Sequence, residues 1–156
     1  MDFKEYFDYK NGDLFWKKST NKKIKIGQIA GCTTNKGYLT IKVNKKPYLA
    51  HKIVFAIHHG YLPKEIDHID CNKLNNKIEN LREATREQNQ WNRTIQLNNS
   101  SGCKGIYWHT RDKVWRVAIR FNKKINCIGS FKDFELAELV AVEARSKYHG
   151  NFARFN

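Results

Sequence analysis

The chain has 156 residues, which is near the usual size of one domain and can also hold two small ones. There are 18 basic and 10 acidic residues up to Arg93, and 11 basic and 5 acidic residues after it. Because both parts are strongly basic, this composition excludes a neutral enzyme with a basic tail and predicts a polyanionic partner.

The cysteines and the apolar runs exclude further classes of protein. The cysteines have neither the paired spacing of a zinc site nor the density of a disulfide framework, so we expect free thiols in a reducing cytosol. No apolar run approaches the ~18 residues that a membrane span needs, and the first residues do not resemble a signal peptide. We therefore expect a soluble protein of the cytoplasm. The four cysteines are Cys32, Cys71, Cys103 and Cys127.

The first third of the chain is predicted to form a turn, a hairpin and a helix. The turn at 11–13 leads into a short strand, and the lysine-rich run 17–25 is either a phosphate-facing segment or a solvated loop. The period-two alternation over 38–43 and the turn at 44–46 predict a hairpin, and a helix follows over 51–60. Its histidines lack a nearby Cys or Asp at ligand spacing, so we expect structural roles for them. They are His51, His58 and His59.

The next segment carries the residues with the clearest chemistry. A short strand over 65–69 is followed by an Asn-rich loop and by a helix that is predicted to begin at Thr85. Asn89 and Arg93 are four residues apart on this helix and share a face. We expect that face to look toward the loop that bears His68.

Asp67 and His68 place a carboxylate beside an imidazole. Phosphodiester hydrolysis needs an activated water, charge stabilisation and help for the leaving oxygen. Histidine suits the first task because its ordinary pKa lies near neutrality, and a divalent cation suits the others. Asp67 and Asn89 are candidate oxygen ligands for Mg²⁺ or Mn²⁺ rather than zinc. Neighbours on a regular strand point to opposite faces, so we expect regular pairing to end at His68.

The run Asp67-His68-Ile69-Asp70 resembles an HNH endonuclease of the phage homing type with the ββα-metal fold. The resemblance also rests on Asn75-Asn76, Asn80-Leu81-Arg82, Asn89 and Asn92-Arg93. The resemblance covers about the first 93 residues. It implies that His68 is the general base, that Asp67 and Asn89 hold the metal, and that Asn80 fixes the loop by hydrogen bonds. Cys71 stands where such enzymes commonly have glycine, so a positive φ there would carry a small strain.

The last third of the chain is predicted to be a small sheet with one helix. After a polar linker over 94–101, three strands follow, and the middle strand puts Trp115 and Val117 on one face and Arg116 and Arg120 on the other. The helix is predicted to begin after the N-cap Asp133 and to cover the apolar face, which leaves the arginines outward. Its predicted buried residues are Ala137, Val140, Ala141, Ala144 and Tyr148.

Segments 104–108, 113–120, 128–131, 138–150 and 152–156 are similar to an AP2-like DNA-binding domain, over about 101–156. The similarity implies a three-stranded sheet in the major groove of DNA. We assign Trp115 to the core and leave Trp108 open between packing and sugar contact. The residues expected to contact DNA are Arg93, Lys104, Trp108, Arg111, Lys113, Arg116 and Arg120.

The predicted fold class is α+β. It comprises a ββα-metal (HNH) nuclease domain over 1–93 with a preceding hairpin and helix, a linker over 94–101, and an AP2-like domain over 102–156. The predicted function is a metal-dependent endonuclease with Mg²⁺ or Mn²⁺ as its cofactor. It is expected to act as a monomer on double-stranded DNA in the cytoplasm of a bacterial host and to be encoded by a phage or mobile element. The alternatives are a non-catalytic DNA-binding regulator and, less well supported because no aromatic RNP-type strand is present, an RNA-binding protein.

Overall fold

The structure is a computed structural model that describes residues 2–19 and 22–155, so the lysine-rich run 17–25 lies partly outside the described residues. Small antiparallel sheets and few helices confirm the α+β class. The chain divides into two compact units, Met1–Thr85 and Arg86–Asn156. The domain bounds 1–93, 94–101 and 102–156 stay a prediction. In the part of the chain described, no helix has the length and apolar character needed to cross a membrane.

Short antiparallel strands and one α-helix build the described part of the first unit. Strands β1 and β2 form a hairpin, β3, β4 and β5 form a second sheet, and β6 pairs with β7. The sequence prediction does not include β1, β3 and β7. The elements are β1 (Phe7–Lys10), β2 (Asp13–Trp16), β3 (Cys32–Thr33), β4 (Leu39–Val43), β5 (Lys46–Leu49), α1 (Ala50–His59), β6 (Ile66–His68) and β7 (Leu81–Glu83).

Two-residue turns close the hairpins of this unit. Asn11 and Gly12 have φ values of 52° and 97°, and Asn44 and Lys45 have values of 49° and 67°. Two successive positive φ values match the right-handed twist of paired strands, and asparagine tolerates them better than most residues. Helix α1 ends at Gly60, whose φ of 81° is the left-handed C-cap that the sequence predicts.

The core of the first unit joins the hairpins to α1 and to the β6–β7 pair. Ile53 and Val54 of α1 are fully buried against Ile41 and Val43 of β4. Ile66 of β6 and Leu81 of β7 belong to the same apolar cluster. This core therefore anchors both strands that flank the Asn-rich loop.

The second unit contains a three-stranded antiparallel sheet with β9 in the centre and a long helix packed on it. Val117 is buried in the cluster with Ala137 and Ala141, whereas Arg120 is exposed, so the predicted division of β9 into an apolar and a basic face is confirmed. Trp115 packs against this cluster, as predicted. The elements are α2 (Arg86–Trp91), β8 (Ile106–His109), β9 (Val114–Phe121), β10 (Lys124–Phe131) and α3 (Phe134–His149).

Helix α3 begins as predicted but buries a different set of residues in its last turns. The Asp133 carboxylate accepts a hydrogen bond from the Leu136 N–H at 2.7 Å. The prediction of a buried Tyr148 is wrong, because its ring is 37% exposed and stacks on Phe121. Arg145 and His149 are buried instead, because each has a backbone carbonyl as its partner. The Arg145 guanidinium donates to the Lys104 carbonyl, and His149 Nε2 lies 2.9 Å from the Arg120 carbonyl.

Candidate functional site

The β6–β7 ladder positions the carboxylate and the imidazole that the sequence singles out. It pairs Asp67 with Arg82 and His68 with Leu81, and β6 ends at His68. The strand thus ends at His68, as predicted, but His68 itself is still paired with Leu81. Asp67 and His68 are both buried, and they have different partners.

The His68 ring is held by an amide. Its Nε2 lies 3.1 Å from Asn76 Oδ1, and both side chains are buried. An amide oxygen accepts but does not donate, so Nε2 carries the proton and Nδ1 is the basic atom of the neutral ring. Asn76 is part of the HNH-like motif but is not among the predicted site residues.

A second imidazole packs on the first. The His51 ring of α1 meets the His68 ring edge-on with centroids 4.9 Å apart, and Tyr38 lies 5.5 Å from His51. His51 is buried, whereas His58 and His59 are exposed. The packing restricts the plane of the His68 ring from the side of α1.

The burial of His51 predicts a pH-dependent stability. Burial, reinforced by the charges of His68 and Lys52, lowers the pKa of His51 from 6.5 to about 3. Below pH 6.5 His51 takes up a proton in the unfolded chain but not in the folded chain. Its contribution to the free energy of unfolding is therefore complete above pH 6.5 and declines toward pH 3 by ~1.4 kcal/mol per pH unit. We expect His51→Gln to remove about one proton from the pH dependence of the unfolding free energy between pH 7 and pH 4, measured by urea titration.

The exposed His59 provides the control for this experiment. His59→Gln removes an exposed imidazole from the same helix. The pH dependence of its unfolding free energy should therefore match that of the unsubstituted protein. Equal pH dependence in His51→Gln and the unsubstituted protein would contradict the assignment.

Asp70 and Asn80 organise the loop between β6 and β7. Asn80 Oδ1 accepts from the Asp70 N–H at 3.0 Å, and its Nδ2 donates to Asp70 Oδ1 at 2.9 Å and to the Asn75 carbonyl at 2.8 Å. Asn75 Nδ2 also donates to Asp70 Oδ2 at 2.7 Å. Desolvation opposes ionisation of Asp70, but the bonds from Asn75, Asn80 and the Asn72 backbone outweigh it and lower its pKa. Asn80 thus holds the loop, and its part in catalysis stays a prediction.

Cys71 has the left-handed backbone that the resemblance makes relevant. Its φ is 64°, and its N–H donates to the His68 carbonyl at 2.9 Å. This conformation costs a residue with a Cβ roughly 1–2 kcal/mol, and replacement with glycine relieves that strain. The greater freedom of glycine in the unfolded chain offsets part of the stability gained. Cys71→Gly should therefore raise the unfolding free energy by ~0.5–1 kcal/mol in a denaturant titration under reducing conditions.

Replacement of a cysteine with glycine in a strand should change the unfolding free energy in the opposite direction. Cys32 lies in β3 and is not among the residues with positive φ. Cys32→Gly is expected to lower the unfolding free energy by ~0.5–1 kcal/mol. A stabilising Cys32→Gly, or a destabilising Cys71→Gly, would contradict this account of the loop.

The Asp67 carboxylate is held by its cross-strand neighbour. Arg82 Nε and a terminal nitrogen of the same guanidinium lie 2.8 and 2.7 Å from Asp67 Oδ2. These charge-assisted bonds offset the desolvation of the buried carboxylate. Arg82 is part of the HNH-like motif, but the motif alone does not predict its bond to Asp67.

The second predicted metal ligand belongs to the other unit. Asn89 lies half-buried on α2, which clusters with the second unit, so its joint action with Asp67 stays a prediction. Among residues 2–19 and 22–155, no three His, Cys, Asp or Glu side chains are grouped as a metal site would require. The predicted ligands are one carboxylate and one amide, so they differ from such a group of three in both number and type.

The predicted DNA-contact residues of the sheet differ in what they already bind. Arg120 is exposed, and Arg111 and Arg116 form ion pairs with Asp112. Lys113 is exposed in the β8–β9 turn with a φ of 52°. Trp108 packs edge-on against Trp115 and is still 43% exposed, so both of its predicted roles remain open.

Lys104 has an intramolecular partner that the sequence does not reveal. Its Nζ lies 2.6 Å from the carbonyl oxygens of Trp91 and Arg93, at the end of α2. Cations at a helix C-terminus satisfy the last carbonyls and interact favourably with the helix dipole. Lys104 is thus engaged in ending a helix, and its DNA contact stays a prediction. The Arg93 side chain is exposed.

Comparison with known proteins gives three findings. Residues 48–91 match the family described as HNH endonuclease. The chain is 38% identical over 109 residues to Protein 3.8 of Escherichia phage T7, which covers 67% of this chain and 88% of that protein. It is 44% identical over 59 residues to Uncharacterized HNH endonuclease L560 of Acanthamoeba polyphaga mimivirus, which covers 36% of this chain and 29% of that protein. No solved structure matches the chain.

Proposed function

This chain belongs to the family of Protein 3.8 of Escherichia phage T7 and carries an HNH endonuclease domain, and from this premise we propose that it is a metal-dependent DNA endonuclease of the homing type. One observation carries the proposal: His68 is buried with its Nε2 proton held by Asn76, directly next in sequence to an Asp67 carboxylate held by Arg82. A histidine whose tautomer and orientation are both set is suited to general-base catalysis.

The reaction that this arrangement supports is hydrolysis of a phosphodiester. Nδ1 of His68 takes a proton from water as the water oxygen bonds to phosphorus. One phosphorus–oxygen ester bond breaks, and the departing oxygen receives a proton from solvent. Asn76 keeps the Nε2 proton in place throughout, so that Nδ1 alone exchanges the catalytic proton.

Asp67 and Asn89 are the proposed metal ligands. Both supply oxygen donors, which fit Mg²⁺ or Mn²⁺, and the buried carboxylate of Asp67 is already oriented by Arg82. When bound, a divalent cation would act as a Lewis acid toward the phosphate. Two protein ligands leave positions for water and phosphate oxygens, which is how Mg²⁺ is usually held.

The second unit is the proposed reader of duplex DNA, in the manner of an AP2-like domain. Its sheet presents a basic face with Arg120 exposed, and its other face packs against α3. Basic side chains on a sheet suit either guanine edges or phosphates. A protein with one nuclease site per chain that acts as a monomer would most simply nick one strand. The relative from Escherichia phage T7 supports a phage origin, and the proposal places the protein's action in the cytoplasm of a bacterial host.

The experiment that tests the proposal is cleavage of supercoiled plasmid and of bacterial genomic fragments by the full chain. We expect conversion to the nicked form with Mg²⁺ or Mn²⁺ and no conversion with EDTA. Tight duplex binding without cleavage under either metal would replace the proposal with that of a DNA-binding regulator. Preferential binding of RNA in a competition assay would favour an RNA-binding protein.

A further inference from the structure

The turn between β8 and β9 gathers three basic side chains around one carboxylate. A terminal nitrogen of Arg116 lies 2.6 Å from Asp112 Oδ2, and Arg111 Nε lies 3.1 Å from Asp112 Oδ1. His109 Nδ1 lies 3.1 Å from Oδ2 and 3.3 Å from the Asp112 backbone nitrogen. His109 Nδ1 can therefore donate to the carboxylate when it carries a proton, or accept from the Asp112 N–H when it does not.

Stability does not explain a carboxylate at this position. Exposed ion pairs contribute little to folding, and the Asp112 side chain is 37% exposed. A negative charge also repels the phosphates that a DNA-reading surface has to attract. The bond from Arg111 nevertheless lowers the pKa of Asp112. With support from His109 and Arg116 it outweighs the opposing desolvation, so the carboxylate is ionised at neutral pH.

What Asp112 does achieve is to orient a guanidinium. Arg116 stands opposite Tyr107 in the β8–β9 ladder, and its side chain is 29% exposed. A guanidinium has five N–H donors in one plane, so a carboxylate bound to one end sets the directions of the others. A side chain that is ordered before binding loses less entropy when it binds.

We propose that Asp112 is a specificity-determining residue, which holds Arg116 for base reading and keeps Arg116 and Arg111 from settling on phosphates of any sequence. The inference rests on the proposed function, in which this sheet reads duplex DNA. It predicts that removal of the negative charge strengthens DNA binding in general and weakens discrimination.

The test compares two duplexes of equal length, with EDTA present to prevent cleavage. The first is selected by the unsubstituted full chain from a random-sequence pool, and the second is a scrambled version of it. For Asp112→Asn we expect affinity for the scrambled duplex to rise and the ratio of the two affinities to fall about 3- to 10-fold, the range expected for loss of one ordered side chain. The slope of log affinity against log salt should steepen by about one counterion.

Two further variants isolate the cause. Glu143→Gln removes the same charge from an exposed position of α3, so both affinities should change by a similar small factor and their ratio should stay the same. Arg116→Lys keeps the charge but removes the planar fork, so it should lower the ratio as Asp112→Asn does. Far-ultraviolet circular dichroism and melting curves verify that each variant is folded.

The outcomes separate this inference from the proposed function. If Arg116→Ala weakens binding while Asp112→Asn leaves the ratio unchanged, Asp112 has no part in specificity and the sheet remains the reader. If Arg116→Ala and Arg120→Ala both leave binding to every duplex unchanged, the sheet is not the reader. A random pool that yields no enriched sequence also overturns the inference, because no discrimination is then left for Asp112 to set.

Discussion

Replacement of His68 with alanine is expected to slow DNA cleavage by a factor of roughly 10²–10⁴, the usual contribution of a positioned general base. Binding of duplex DNA should stay within about twofold, because a buried imidazole that acts on water contributes little to holding the phosphate backbone. The measurement is single-turnover cleavage of supercoiled plasmid with Mg²⁺ and enzyme in excess. Added imidazole should restore part of the rate, since a small base can enter the space that the side chain leaves.

The control for this prediction is an imidazole elsewhere in the same unit. His59 lies at the end of α1, is exposed, and contacts the Phe55 ring. His59→Ala should cleave at the unsubstituted rate. Cleavage by His68→Ala at the unsubstituted rate, still blocked by EDTA, would assign the general base to another group. A melting temperature far below that of the unsubstituted protein would mean that the variant reports on folding, and the imidazole rescue then decides the role.

Exchange of Asn80 for aspartate is expected to lower the unfolding free energy by about 2–3 kcal/mol and the melting temperature by roughly 10 °C. The change replaces the Nδ2 donor, which bonds both Asp70 Oδ1 and the Asn75 carbonyl, with a carboxylate oxygen. The new carboxylate oxygen then faces two other acceptors, Asp70 Oδ1 and the Asn75 carbonyl, with no proton to share. Its negative charge also lies in contact with that of Asp70. Because this loop connects β6 to β7, cleavage activity should fall together with stability. Differential scanning calorimetry and plasmid cleavage provide the two measurements.

Asn72 offers a matched control within the same loop. Its Oδ1 accepts from the Leu74 N–H at 3.1 Å, and a carboxylate oxygen accepts equally well. Asn72→Asp makes the same chemical change as Asn80→Asp and should leave the melting temperature within a few degrees of the unsubstituted value. Equal destabilisation by both variants would show that charge in this loop matters, rather than the donor lost at Asn80.

Local signals account for what could be predicted of the fold. The Asn-Lys turns at 44–45 and 122–123 have positive φ at both residues, and the Asp133 cap bonds the first turn of α3. Each of these features depends on residues within about four positions of one another, so it can be predicted from the local sequence. The helical pattern predicts a buried Tyr148 wrongly for a nonlocal reason. Arg145 and His149 are buried because they bond the carbonyls of Lys104, just before β8, and of Arg120 in β9, both far away in the chain.

The sequence by itself determined the HNH motif, the ends of β6 and α1, and the basic face of β9, because periodicity and turn chemistry are written into neighbouring residues. Only the tertiary structure decided the environment of the motif. It places Asn76 on His68 Nε2, packs the His51 ring on His68, and commits Lys104 to the end of α2. The physical reason is that side chains bury and bond wherever the folded core brings them, and contacts between elements separated by long stretches of chain leave no periodic signal in the sequence.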